Sequence, residues 1–388
     1  MNMPNPTTSL FSGVRILSLA EQYPGPFATM LLADMGADVV LVERPGTGDP
    51  GRAFRPTFDA MARNKRSVCV DLKSEAGRAD FIELVRDADV VLEGYRPGVM
   101  DRLGVGYSVL KEVAPRLIYA SITGFGQSGP YRDRTAHDIS YQAVAGLFFG
   151  KVGQGPIEAS TLPFGDLSAA MFAALAVASA LYGREHTGLG TAIDISMTDG
   201  LVSWMTPFLA PAMNADASKA VEPQPDFGPS EPAYGAFPCR DGRALTLSIA
   251  HEDHFWRALC AALNMPEHAA LKGRQRVANC ESLRRGIADR LVLQDLGHWQ
   301  QLLDSHGIPW SPVQELEDVL ADAHFVGRGL FTSVPTASGS TERHVLQPLK
   351  FSAYTTAITR AAPALGEHTA EVMAEARARS AAPLLRAG

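Results

Sequence analysis

Residues 15–44 read RILSLAEQYPGPFATMLLADMGADVVLVER, and the order of signals in them decides the fold. RILSLA (15–20) is a short apolar run of strand length. The turn PGP follows. FATMLLADMGA then places apolar residues at helical spacing and closes on a glycine. DVVLVER (38–44) is β-rich again. Strand, helix and strand in that order predict parallel pairing through a βαβ crossover.

The same alternation continues outward. SVCVDL (67–72) is strand-like. SEAGRADFIELVRDA (74–88) opens on a Ser cap with Glu beside it and then shows helical spacing. DVVLEGY (89–95), YSVLKEVAPR, LIYASITGFG and AIDISM (192–197) extend the series. The strands are continuous apolar runs, as expected where helices cover both sheet faces. The most apolar stretch, LSAAMFAALAVASALYG (167–183), is at the short limit for a membrane span. It is Ala-rich, carries two serines and is bounded by Asp166 and Arg184. A helix buried in a protein core is the expected reading.

The texture changes after Trp204. Residues 207–232 are rich in Pro, Ala and Asp and read as a linker with little regular structure. AFPCRDGRALTLSIA predicts a hairpin around Asp241-Gly242, and HEDHFWRALCAALNM a helix. GIPWSPVQELEDVLADAHFVGRG (307–329) predicts a Pro-bounded loop, then a helix. The expected organisation is a large α/β domain over 1–206, completed by 340–388. A smaller α+β domain covers 233–330, and 331–339 forms a return linker. No internal repeat is visible.

Composition narrows the function. With 388 residues, two domains are the default. Hydrophobic content of 46% and charged content of 20% fit a globular protein. A net charge of −7 argues against nucleic-acid binding, which needs a basic surface. Cys69, Cys239, Cys260 and Cys280 form no CxxC, so neither a disulfide framework nor a zinc site is expected. MNMPNPTTSL lacks the pattern of a signal peptide. The expected setting is the cytoplasm, with no membrane partner.

Several motifs carry chemistry. GTGDPG (46–51) and GFGQSG (124–129) match G-x-G-x-x-G, but neither opens an apolar helix that could hold a pyrophosphate. A nucleotide-dependent oxidoreductase is therefore a remote reading. Arg44, Arg52, Arg55, Arg63, Lys65, Arg66, Arg96 and Arg102 fall near strand ends, where arginines could hold phosphates. The alternative is ordinary solvated surface. Asp166, in LPFGDLSAA, stands at a helix start. It could be an N-cap, or a carboxylate kept ionised by helix NH groups and available as nucleophile or base. His137 in RTAHDISYQ (134–142) could be a general acid or base, and Asp138 could orient it or bind ligand. Glu252 in HEDHF is a further candidate; His251 and His254 read as solvated neighbours. There is no HExxH and no G-x-S-x-G, so no metal is expected.

Long, ordered segments also carry a resemblance. They are residues 13–52, NKRSVCVDLKSEAG (64–77), LEGYRPGVMDRLGVGY (92–107), PRLIYASITGFGQSGPY (115–131) and REHTGLGTAIDISM (184–197). Together they resemble the family III CoA-transferases, the CaiB/BaiF group, which includes the α-methylacyl-CoA racemases. The similarity runs from about residue 12 to 355. It implies a Rossmann-like large domain, a small domain and an interlocked homodimer. It implies coenzyme A as part of a thioester substrate and no tightly bound cofactor. The implied CoA contacts are Gln22, Tyr23, Arg44, Val70, Leu72, Gly94, Tyr95, Arg102 and Leu103.

Asp166 falls on the family's catalytic aspartate. In transferases it attacks an acyl-CoA thioester, and an aspartyl-CoA thioester then passes CoA to a carboxylic acid. In racemases the equivalent aspartate works across the α-carbon from a histidine, with a glutamate nearby. AHDISY resembles the racemase motif, with His137 in place of the tyrosine of many transferases, and Glu252 aligns with the racemase glutamate. DLSAAM after Asp166 lacks the racemase glycines and is closer to transferases. The resemblance implies CoA transfer first and 2-methylacyl-CoA racemisation second.

Overall fold

The structure, a computed structural model, describes residues 9–149, 157–158, 160–214, 230–336 and 339–381. The chain divides into two compact units, Met1–Ala212 with Gly329–Gly388, and Met213–Arg328.

The large sheet of the first unit has six strands: β1 (Arg15–Ser18), β2 (Asp38–Glu43), β3 (Lys65–Cys69), β4 (Val90–Glu93), β5 (Ile118–Thr123) and β6 (Thr191–Ser196). Their order is β3-β2-β1-β4-β5-β6, all parallel. Leu17 of β1 stands opposite Val40 of β2 on one side and Val91 of β4 on the other. The strand order reverses there, and a crevice opens beyond the carboxyl ends.

Alternation sends successive side chains to opposite faces. Ile16, Val39, Val90 and Ile118 pack under the helices Pro24–Asp34 and Phe164–Thr187. Leu17, Val40 and Val91 pack under the helices Glu75–Arg86 and Thr369–Ala381. Ser74 caps Glu75–Arg86, its Oγ accepting from Gly77 N at 2.9 Å. β3 is an edge strand, and the C-terminal segment covers it. His368 N donates to Ser67 O at 2.9 Å, and Cys69 N donates to Thr369 Oγ1 at 3.0 Å. Backbone groups that would template another strand are thereby satisfied.

The long helix Phe164–Thr187 departs from its expected full burial. Ala169, Ala170, Ala173 and Val177 lie against the sheet, while Met171, Leu175 and Tyr182 are 53%, 61% and 72% exposed. Small residues form the stripe that approaches the strands, and the larger apolar ones project outward. Its length and composition alone would suit a membrane span.

Two further differences concern the expected linkers. Residues Thr206–Met213 are helical. Pro207 sits in the first turn, where its missing NH is no loss. Of the rest of the expected linker, residues 215–229 lie outside the described residues. Phe331–Pro335, within the expected return linker, is a strand paired antiparallel to Thr341–Val345. Val334 is buried there, which gives the strand an inward face.

The second unit carries a three-stranded antiparallel sheet of β7 (Tyr234–Pro238), β8 (Ala244–Ser248) and β9 (Trp310–Pro312). Leu245, Leu247, Trp256, Leu259, Ile287 and Leu303 form its core. Arg276, fully buried, is held by Glu231 and Asp253 at 3.0 and 2.7 Å.

Candidate active site

A cavity of about 520 Å3 opens in the first unit where β1, β4 and β5 end. Glu21 and Gln22 enter it from the turn after β1, and Gly94, Tyr95 and Arg96 from the turn after β4. Thr123 and Gly124 come from the end of β5. The segment 132–138 closes one wall, and Asp166 reaches in from its helix. The switch point of the sheet thus explains the place of the cavity.

Asp166 is not the N-cap. The capping position is Pro163, and Asp166 is inside the first turn. The cap is supplied from elsewhere in the chain: Asp138 Oδ1 accepts from Gly165 N at 2.7 Å and from Asp166 N at 3.2 Å. Its other oxygen accepts from Gln142 Nε2. Those two NH groups are therefore engaged by Asp138 and are not open to a substrate oxygen.

The Asp166 carboxylate itself has no hydrogen-bond partner among the described residues. Burial, reinforced by the charge on Asp138, pushes its pKa up to about 6. This corrects the expectation that the helix start would hold it firmly ionised. Desolvation wins here because the nearest NH groups bond to Asp138 and not to Asp166.

His137 precedes the helix Asp138–Val144 and is exposed on the same cavity wall. The sequence-adjacent pair thus splits its tasks. Asp138 turns inward to the Asp166 helix, and His137 faces the cavity. Glu252 lies in the second unit, at the N-cap of Asp253–Ala262. It accepts from Ala250 N at 3.0 Å, and backbone hydrogen bonds hold its pKa down. His251 and His254 are exposed there.

The eight basic residues divide sharply. Arg52 is clamped by both Glu43 oxygens at 2.7 Å, Arg63 pairs with Asp34 at 2.7 Å, and Arg66 with Asp38 at 2.6 Å. Arg55 pairs with Asp59. Lys65 is fully buried, and burial pushes its pKa down to about 7. Arg63, Lys65 and Arg66 also sit at the amino end of β3, away from the crevice. These five have structural work. Arg44 is exposed and pairs with Glu21 at 3.1 Å. Arg96 and Arg102 line the cavity with no carboxylate partner among the described residues.

Of the CoA contacts implied by resemblance, Gln22, Gly94, Tyr95 and Arg102 line this cavity. Tyr23, Arg44, Leu103, Val70 and Leu72 do not. Val70 and Leu72 are buried in the core under Glu75–Arg86, so their side chains are committed to packing. Gln22 has φ +67, a left-handed backbone unusual outside glycine. Its NH is held by both oxygens of Asp49, at 3.1 and 3.2 Å.

Sequence reading missed Arg132 and Arg134 on the cavity wall. The signal was present: both stand in PYRDRTA, directly before the His-Asp pair. It also missed Glu93, which accepts from Tyr95 N at 2.7 Å at the end of β4. Burial pushes the Glu93 pKa up to about 7. A carboxylate ending an otherwise apolar strand was the available signal.

The fold agrees with what comparison with known proteins finds. The description of CoA-transferase family III matches residues 11–369. The chain belongs to that family. It is 34% identical over 329 residues to the acetyl-CoA:oxalate CoA-transferase of Acetobacter aceti, covering 79% of this chain and 82% of that one. It is 31% identical over 368 residues to the alpha-methylacyl-CoA racemase of Homo sapiens, covering 94% and 92%. A CaiB/BaiF family protein from Brucella suis superposes with a TM-score of 0.81 at 29% identity, covering 95% of this chain and all of that one.

Proposed function

We propose that the protein transfers coenzyme A from an acyl-CoA to a carboxylic acid through Asp166. The observation that carries this reading is an unpartnered carboxylate reaching into a cavity that also presents Arg96, Arg102, Arg132 and Arg134. Arginines suit the phosphates of CoA. A carboxylate with pKa near 6 is largely ionised at neutral pH and freely available as a nucleophile.

The steps balance without a co-reactant. An Asp166 oxygen attacks the thioester carbonyl, the C–S bond breaks, and CoA leaves as thiolate. The thiolate then attacks the Asp166 side of the mixed anhydride and releases the donor acid. The acceptor carboxylate attacks the resulting aspartyl thioester and expels the thiolate again. Attack of the thiolate on the acceptor side yields the new acyl-CoA and restores Asp166. Asp138 holds the first turn of the helix in place throughout.

The second reading is racemisation of a 2-methylacyl-CoA. His137 and Asp166 both line the cavity, and an imidazole with a carboxylate is the kind of pair that proton exchange at an α-carbon uses, which supports it. One reaction in D2O separates the readings. It contains an acyl-CoA, a 2-methylacyl-CoA and free acids, and mass spectrometry follows the products. Transfer gives new thioesters without deuterium at the α-carbon. Deuterium in the methylacyl-CoA, independent of added acids, would replace transfer by racemisation.

We also propose a homodimer, interlocked as in the resemblance. Large apolar side chains left exposed on one long helix, Met171, Leu175 and Tyr182, and on the helices after it, Trp204 and Phe208, support it. Light scattering should give twice the chain mass. A monomer would exclude it. The proposed setting is the cytoplasm.

A further inference from the structure

A second cavity, of about 370 Å3, lies beside the first. Gln22 lines both. The floor is apolar: Phe58 and Met61 are buried. Tyr23, Pro50, Phe54 and Thr57 complete the wall, and Phe54 is 72% exposed. None of its lining residues carries a charge. The two cavities meet at Gln22, the residue they share; burial, with the Asp166 charge as a smaller cause, raises the pKa of the neighbouring Tyr23 phenol.

The nearest cations are occupied. Arg52 is locked on Glu43 and lies 4.4 Å from the Phe58 ring centroid. Arg55 pairs with Asp59. A second carboxylate on a bound acid would therefore meet aromatic and aliphatic walls and no free positive charge. Leaving it there unpaired is unfavourable. A hydrocarbon chain or ring would instead be desolvated, at a gain of about four-fold in binding for each buried methylene.

We propose that this second cavity receives the acyl group, and that the substrates are apolar monocarboxylic acids and their CoA thioesters. Oxalate, in the name of one relative, is by contrast a dicarboxylate. The inference rests on CoA thioester binding at Asp166 and extends it to substrate class. Gln22 is the residue between the thioester site and the acyl site, and its constrained backbone fixes that passage. The acid enters as a carboxylate and leaves as a thioester in exchange for another, so no oxidant, proton donor or further co-reactant is needed.

The test pairs acids of equal carbon number. Calorimetry on the full chain measures the Kd of hexanoyl-CoA and of adipoyl-CoA. Transfer from hexanoyl-CoA to deuterated hexanoate and to adipate is followed by mass spectrometry. Hexanoyl-CoA should bind at least about ten-fold more tightly, because its terminal methyl replaces a charged group. Phe54→Arg, at an exposed position, should shrink that ratio several-fold toward adipoyl-CoA. Equal or reversed affinities would overturn the proposal. A retained preference in binding, with no transfer to either acid, would refute the transfer mechanism and leave the acyl site standing.

Discussion

The two ends of the parallel sheet use the same residue types for opposite purposes. At the amino ends, Arg15 is held by Asp38, Asp87 and Glu375 at 2.9, 2.6 and 2.7 Å. Arg66 shares Asp38 and Glu375 with it, and the C-terminal helix supplies that glutamate. Both arginines are buried and each has its counter-charges. At the carboxyl ends, Arg96 and Arg102 face a cavity, and Asp166 has no hydrogen-bond partner among the described residues. The closed end fixes the fold. The open end leaves its charges for a ligand to complete. Charge content alone does not separate the two; completeness of pairing does.

That contrast can be broken in four places. The largest effect is expected at Asp166. Asp166→Asn should lower kcat for transfer by roughly 10³-fold or more, with Tm unchanged or raised, because a covalent step is lost. Full activity in the variant would remove Asp166 from the chemistry. Next comes Arg15→Ala at the closed end. It removes a buried guanidinium and its three charge-assisted hydrogen bonds, though Asp38 and Glu375 keep Arg66 and Asp87 keeps Arg379, and should destabilise by about 2–3 kcal/mol in denaturant titration, with KM for acyl-CoA unchanged in the surviving folded fraction. A change in KM without loss of stability would show that the closed end is not merely structural.

Arg96→Ala and Arg102→Ala should do the reverse. Each should raise KM for acyl-CoA by about ten-fold and leave thermal stability within error. The smallest effect is a pH shift. Transfer needs ionised Asp166, so kcat/KM should fall as pH drops below about 6. Asp138→Asn removes the neighbouring negative charge while keeping one oxygen to cap the helix. The acid limb should then move down, by less than about one pH unit. An unmoved limb would mean that burial alone sets the Asp166 pKa. The sign for stability is the opposite of an ordinary salt-bridged aspartate. The folded pKa lies above the unfolded one near 4, so the protonated form favours the fold. That contribution is present below pH 4 and is lost as pH rises through 6.

The sheet was legible because most of its strands contain a short apolar run and the helices between them carry start or stop signals. Ser74 and the glycine after Met35 are local instructions, and they act locally. The site was legible only as a set of residue types. Nothing near Asp166 in the sequence says that its helix is capped by a residue 28 positions earlier. Nothing near Arg52 or Arg66 says that Glu43 and Glu375 neutralise them. Those are long-range pairings, and single-sequence spacing is blind to them. Asp166, which the resemblance singled out, lines the cavity. The resemblance could not say that Val70 and Leu72 would be spent on packing.

The central claim is that Asp166 is covalently turned over, and oxygen labelling tests it most directly. The protein is allowed to turn over with an acceptor acid whose carboxylate carries 18O. The Asp166 peptide is then weighed. In the mechanism above, the bridging oxygen of the second anhydride comes from the acceptor and stays on Asp166 when the thiolate attacks. The peptide should therefore gain the label, and only in the presence of acyl-CoA. Transfer of CoA to the labelled acid with no label on Asp166 would contradict the account.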